Sequence, residues 1–470
     1  PAGETRTQRF PVSAGEHTLE LAATGSAEGV FLWGQPQWIG KARASVPPIV
    51  LITMDTTRRD ALGPYGGPSG LTPRIDAFAR GATVFERAWS TSPWTLPSHA
   101  SIMTGLYPSR HRAGVDQQHL ASEHPTLARL LGEAGYLTAG FAGGALCSHR
   151  YGVAQGFGRY LDPETFESSG AELNAAVGEL LGEVHHQPLF LFVNFFDPHA
   201  LYNAPEEFQE RAGVEGKRAA LAEDPLWQAF DQGDSVAWRR IIDGEGRVTP
   251  EILGYVRAAY RSEVAYMDEQ IGLLFRQLEE KDLFDRALII LVADHGELLG
   301  EYGGLFSHAG RLDPELTEIP MIVKWPGQRE GRREDRLVSQ VDLFATVLEA
   351  AGLEVPSSDG RSLAPREETG APRILFLEEH ESRVHPLPPR LRLAPHVFGV
   401  QRPNARLEVW DGGMECARRT PEGWVKEVCS SSPQVVLEHV EQSLGAAPAV
   451  QGAGEVDPEA REALKALGYL

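Results

Sequence analysis

A carboxylate, a hydroxyl, an adjacent acid–imidazole pair and two further histidines recur along this chain at the ends of apolar runs. Asp55 closes IVLITM and opens DTTRRDALGPYG, with Thr56, Arg58 and Asp60 around it. An Asp in that position reaches a metal from a sheet edge or caps the next helix. Asp294 and His295 follow ALIILVA in ADHGE, residues 293–297. Side by side on a turn they offer one oxygen and one nitrogen ligand, which suits Zn or Mn better than Ca, since Ca prefers oxygen alone. The plainer alternative is a surface turn, with Asp294 capping and His295 solvated.

Thr95 lies in PWTLPSHASIMTG, residues 93–105, just ahead of Pro97 and Ser98 and an amphipathic segment. That puts it at or just before a helix N-terminus, where free backbone N–H groups and the positive dipole end favour an anionic ester. A hydroxyl becomes a nucleophile near neutrality only when its pKa is lowered, and an adjacent metal does this without a neighbouring base. The alternative is an ordinary Thr N-cap. His199 in FFDPHALY and His308 in FSHAGR each read, taken singly, as satisfied structural histidines. What singles them out is the order acid, hydroxyl, His, acid–His, His, each following a strand or its loop.

The elements that must hold these residues follow from the patterning. IVLITM (49–54), PLFLFVNFF (188–196) and ALIILVA (287–293) are continuous apolar runs of the kind buried in a parallel sheet. Helix-period segments separate them: Pro73 to Arg80, Thr126 to Ala134, Ala171 to Val184, Glu251 to about Lys281, and Gln340 to Ala351. The alternation predicts an α/β fold with helices on both faces of a mainly parallel sheet and a site at the strand carboxyl ends. Residues 1–47 read as a β-rich extension, 48–365 as the catalytic domain, and 204–250, with Trp227 and Trp238, as a candidate lid insertion. Residues 366–470 read as a smaller C-terminal subdomain closed by a helix at 457–467.

The 65 acidic and 44 basic residues leave a net charge of -21, which repels nucleic acid and anionic membrane surfaces. An anionic substrate therefore needs a local cationic site, and no nucleic-acid partner is expected. No run approaches the roughly 18 apolar residues of a spanning helix. The chain does not begin with Met, so an upstream segment is expected, and any membrane anchoring would come through it. Cys416 and Cys429 flank a turn-like stretch and either close a disulfide hairpin or remain two thiols.

Taken together, DTTRRDALGPYG, PWTLPSHASIMTGLYPSRH, FFDPHALY, AYRSEVAYMDEQIGLL, ADHGELLGEYG and IPMIVKWPG resemble the sulfatase branch of the alkaline phosphatase superfamily. The resemblance runs from about 48 to 352, with a family-like close in LKALGYL. It implies an alkaline phosphatase/sulfatase-like sandwich with a smaller C-terminal α+β subdomain. It also implies one divalent metal ion on Asp55, Asp294 and His295, in contact with Thr95 as the nucleophile. His199 and His308 match positions that hold the charged oxygens or protonate the leaving group, and Arg58 and His99 are further substrate-binding candidates.

Departures from the family pattern shape the expected chemistry. Typical sulfatases carry Cys or Ser, any residue, Pro, Ser, Arg, with the Cys or Ser converted to formylglycine; here the string is Thr95, Leu96, Pro97, Ser98, His99. Threonine cannot give that aldehyde, so no formylglycine is expected. The pattern instead resembles phosphodiesterases and phosphoethanolamine transferases that use an unmodified Thr. Thr56 stands where a second Asp is usual and His295 where an Asn is usual, which favours Zn or Mn over Ca or Mg. The expected activity is hydrolysis of phosphate- or phosphonate-type esters through a covalent Thr95 intermediate. The alternatives are a sulfuric ester hydrolase proper, a phospho-group transferase acting on envelope lipid or glycan, and a non-catalytic binding protein on the same fold. The expected substrate is an anionic ester of a small molecule, lipid head group or glycan, and the expected location is periplasmic, extracellular or envelope-associated.

Overall fold

A computed structural model describes residues 46–429, apart from 116, 164–166, 185–187, 367–372, 381–395, 403–404, 411–412 and 421–422. Most of the 1–47 extension, the helix expected at 457–467 and the LKALGYL close fall outside the described residues.

The main sheet takes its centre from the apolar runs. Strands β1 (Ile49–Met54), β2 (Thr83–Trp89), β3 (Leu137–Ala142), β4 (Arg159–Leu161), β5 (Leu189–Phe195) and β6 (Leu288–Ala293) belong to it. In β1, β5 and β6 every residue is buried, so both faces of the sheet are covered, as continuous rather than alternating hydrophobicity requires. A short antiparallel pair, β7 (Leu298–Leu299) and β8 (Phe306–Ser307), follows β6. Strands β9 (Glu318–Ile319), β10 (Met321–Lys324) and β11 (Arg332–Ser339) complete the sheet in the order β11-β2-β10-β6-β1-β5-β3-β4, with β9 paired to β2. Pairing is parallel around β1 and antiparallel where β10 meets β2 and β6.

Register does the positioning. Met54 lies opposite Phe195 on one side and Ala293 on the other, so Asp55 and Asp294 leave the sheet at the same level. The Asp55 N–H donates to Phe195 O at 2.8 Å, carrying the ladder one residue past the strand.

The covering helices match the sequence expectation to within a residue or two: Pro73–Ala79, Leu127–Glu133, Gly170–Glu183, Pro250–Glu280 and Val341–Ala350. The 31-residue Pro250–Glu280 helix packs on Gly170–Glu183 and Pro73–Ala79, while Thr95–Thr104 packs on Val341–Ala350. Within 204–250, four short helical segments lie between Glu206 and Ile242. Their aromatic residues form a cluster in which Trp227 meets Phe306 edge-on at 5.3 Å and Phe230 contacts Trp238 at 5.0 Å. This insertion therefore supports the β8 turn, two residues ahead of His308.

The C-terminal part folds as a five-stranded antiparallel sheet, β12 (Leu375–His380), β13 (His396–Arg402), β14 (Ala405–Trp410), β15 (Gly413–Thr420) and β16 (Gly423–Glu427). It docks through Leu375 and Leu377 against Trp89, Leu312 and Leu337, and the Glu378 N–H donates to Thr91 O at 2.8 Å. Cys416 on β15 and Cys429 just beyond β16 are bridged, with Cα atoms 5.4 Å apart. Of the two readings left open for these cysteines, the disulfide is the one present. No helix among the described residues is long and apolar enough to cross a membrane.

Candidate active site

Asp55, Asp294 and His295 converge at the carboxyl ends of β1 and β6, fully buried, with one ligand atom from each lying within 4.8 Å of the others. Asp294 is oriented by two backbone donors: its Oδ1 accepts from Thr56 N at 3.2 Å and from His295 N at 2.8 Å. The first contact holds Thr56 at φ 50°, a left-handed conformation that a β-branched residue adopts only under constraint. Tyr260 supplies the rest of the clamp, its hydroxyl donating to Thr56 O at 2.9 Å and accepting from Arg58 N at 2.8 Å.

What remains is unsatisfied. Among the described residues, both oxygens of Asp55 and Oδ2 of Asp294 have no hydrogen-bond partner. Burial, and then the charge of Asp294, raises the Asp55 carboxyl well above the usual carboxylate range. Burial likewise pushes Asp294 up to about 7. Three orphaned oxygens on two buried acids are too costly to leave without a cation or a proton. His295 completes the set: its Nδ1 lies 2.9 Å from Gly296 O, and since a carbonyl only accepts, Nδ1 carries the proton and Nε2 presents its lone pair. Burial, then His308, holds His295 well below its usual pKa and therefore neutral. Two carboxylates and a neutral imidazole fit a divalent metal ion.

Thr95 stands against this group, its Oγ 3.3 Å from His295 Nε2. It is the first residue of the Thr95–Thr104 helix, and the capping position belongs to Trp94, with no side-chain cap. Thr95 is therefore not an N-cap, and the first-turn amides lack a capping side chain. Gln340, from the turn after β11, braces the ligand turn by donating to Ala293 O at 3.0 Å and Asp294 O at 2.6 Å while accepting from Thr91 N at 3.0 Å.

His199 and His308 join the same neighbourhood. The His308 ring lies 4.6 Å from that of His295 and 5.1 Å from that of His199. His308 Nδ1 is 3.3 Å from Glu297 Oε2, and His199 Nδ1 donates to Ala200 O at 2.6 Å while its ring stacks on Phe196 at 4.3 Å. Burial, then His308, holds His199 well below its usual pKa.

Arg58 and His99 are differently disposed. The Arg58 guanidinium donates to Asp60, to Glu301 Oε1 at 2.9 Å and to Glu297 O at 3.1 Å. These bonds engage four of its five N–H groups. His99 is fully buried, with Nδ1 2.9 Å from Thr95 O and Nε2 3.0 Å from Thr53 Oγ. Sequence reasoning did not single out Thr53, Asn194, Tyr260, Glu297 or Gln340. Thr53 and Asn194 carried a signal, as polar residues inside otherwise apolar strands; Gln340 carried none.

Comparison with known proteins shows the family and the fold. A family model described as Sulfatase matches residues 47–353. The Delta 4,5-hexuronate-2-O-sulfatase of Bacteroides thetaiotaomicron is 25% identical over 354 residues, spanning 68% of this chain and 71% of that protein. The multifunctional alkaline phosphatase superfamily protein of Trinickia caryophylli is 27% identical over 410 residues, spanning 71% and 79%. Among solved structures, the phosphonate monoester hydrolase of Silicibacter pomeroyi superposes with a TM-score of 0.67 at 20% identity, covering 85% of this chain and 94% of that one. With the family match covering most of the chain and the fold shared, this protein belongs to the sulfatase family, a group of ester hydrolases within the alkaline phosphatase superfamily.

Proposed function

We propose that the protein is a metal-dependent hydrolase of phosphate- or phosphonate-type esters that works through a covalent Thr95 intermediate. The observation that carries this reading is the Thr95 hydroxyl, uncapping and buried, 3.3 Å from His295 Nε2 beside the orphaned oxygens of Asp55 and Asp294. A divalent cation held by Asp55, Asp294 and His295, with Zn or Mn favoured by the mixed donor set, supplies the charge that makes a neutral-pH nucleophile of a hydroxyl beside it. Thr95 Oγ, its proton lost to solvent, then attacks phosphorus in line as the bond from phosphorus to the leaving oxygen breaks, and the uncapped first-turn amides of its helix are donors suited to the ester's charged oxygens. His308 contacts those oxygens or hands a proton to the leaving group, His199, whose Nδ1 proton is taken by Ala200 O, lines the site beside it, and water releases the group from Thr95.

Threonine also bears on the choice of ester. Its β-carbon carries a methyl group, so oxidation there yields a ketone and never the formylglycine aldehyde. Release of a sulfo group from an aldehyde hydrate is closed to it. The second reading, a sulfuric ester hydrolase, is favoured by the names of the curated relatives. The substrate is an anionic ester of a small molecule, lipid head group or glycan, met in a periplasmic, extracellular or envelope setting with which the Cys416–Cys429 disulfide is compatible. The test is a set of paired rates on an aryl sulfate, a phosphate monoester, a phosphate diester and a phosphonate monoester, with and without Zn or Mn. Higher kcat/KM on a phosphorus ester supports the proposal, and a clear preference for the aryl sulfate supports the second reading.

A further inference from the structure

The buried side of the Thr95–Thr104 helix is joined to β1, the strand that leads into Asp55, by a chain of hydrogen bonds that runs in one direction. Asn194 Oδ1 on β5 accepts from Gly144 N at 3.1 Å, and Asn194 Nδ2 donates to Thr53 Oγ on β1 at 3.1 Å. Thr53 Oγ lies 3.0 Å from His99 Nε2, and His99 Nδ1 lies 2.9 Å from Thr95 O and, farther off, 3.6 Å from Asp294 Oδ2. A carbonyl only accepts, so Nδ1 carries a His99 proton; in the tautomer protonated there alone, Nε2 has only a lone pair and Thr53 donates to it. Thr53 and Asn194 are opposite each other in the β1–β5 register, and Thr53 is two residues ahead of Asp55. All four residues are buried, and the edge of the His99 ring faces Phe192 at 6.0 Å.

We propose that His99 is a positioning residue: an Nδ1-protonated strut that sets the Thr95 hydroxyl against the Asp55, Asp294 and His295 group by fixing the carbonyl of Thr95 to Thr53 on β1. This rests on the reading of Thr95 as the nucleophile. Helix dipoles and apolar packing fix the axis of the Thr95–Thr104 helix but leave it free to slide or roll by fractions of an ångström. A two-point tether from the first helical residue to the strand bearing Asp55 removes that freedom. Misplacement of a reacting atom by about 1 Å lowers rates by about a hundredfold, so the strut's effect belongs in kcat.

Two measurements test it. In the wild-type protein labelled with nitrogen-15 histidine, His99 at neutral pH is expected to carry its proton on Nδ1; a proton on Nε2 overturns the strut whatever the variants do. His99→Asn keeps a donor for Thr95 O but loses the acceptor for Thr53, and Thr53→Val removes the other end of the same bond. Each is expected to lower kcat at least about tenfold while leaving KM within about threefold and metal content unchanged, and the double variant is expected to be no slower than the slower single. Unchanged kcat, losses that multiply in the double variant, or losses that follow metal content contradict the proposal. Should Thr95→Ala retain activity, the nucleophile reading fails instead, and the labelled wild-type protein still reports on the strut.

Discussion

Asp294→Asn should make the metal-free protein more stable while abolishing its ability to use a metal. Asp294 is fully buried, and burial raises its carboxyl from an ordinary 3.8 to about 7. A carboxyl whose folded pKa is raised contributes stability that is fully present below the unfolded value and is lost as pH rises through the folded one. For metal-free protein, the loss starts near pH 4, runs to about pH 7, is shared with the Asp55 carboxyl beside it, and amounts to about 4 kcal/mol. Asn keeps the acceptor for Thr56 N and His295 N and turns the orphaned Oδ2 position, 3.3 Å from the lone pair of His295 Nε2, into a donor. The assay is denaturant unfolding in chelator at pH 5.5 and pH 8, then with Zn or Mn at pH 8. In chelator the variant's advantage should grow by about 2 kcal/mol from pH 5.5 to pH 8, and added metal should stabilise only the wild type. A variant equally destabilised at both pH values, or one that metal still stabilises, would refute the reasoning that these acids are held for a cation.

Two further outcomes follow from the frame around the site. Gln340→Met removes the donors to Ala293 O and Asp294 O and the acceptor for Thr91 N, and should cost about 3 kcal/mol in denaturant unfolding and weaken metal binding in a competition titration; stability within about 0.5 kcal/mol of wild type would show the brace to be dispensable. Replacing Cys416 and Cys429 with Ser opens a loop of 13 residues and should lower stability by about 3 kcal/mol, seen as a lower denaturation midpoint; alkylation of either cysteine in the untreated protein, read by mass, would show that the bridge is absent in solution.

The centre of the fold was legible because burial on both faces forces the continuous apolar runs of β1, β5 and β6, and because helices as long as Pro250–Glu280 carry their period over many turns. Strands β2, β10 and β11 were not singled out. Arg332–Ser339 is largely exposed along its first half, so its composition follows solvent rather than the sheet. At the site, Asp55, Thr95, Asp294 and His295 stood out because each ends or follows an apolar strand. Arg58 and His99 were named through the family resemblance, and of the side-chain partners that occupy them only Asp60 is near in sequence, while Glu301 and Thr53 lie far off. Such pairings come from strand order, and one chain read from end to end does not carry that order. Gln340 illustrates the same limit: it braces the ligand turn from 46 residues away and looks like any helix-entry residue.

The most direct measurement of the central claim is the turnover of Thr95→Ala on the preferred ester, made alongside its metal content. The Ala variant is expected to retain the fold and most of the metal, because the proposed ligands are Asp55, Asp294 and His295, and to turn over at least about a thousandfold more slowly, with Thr95→Ser retaining measurable activity. Turnover of the Ala variant within about tenfold of wild type, at equal metal content, would contradict the assignment of Thr95 as the nucleophile.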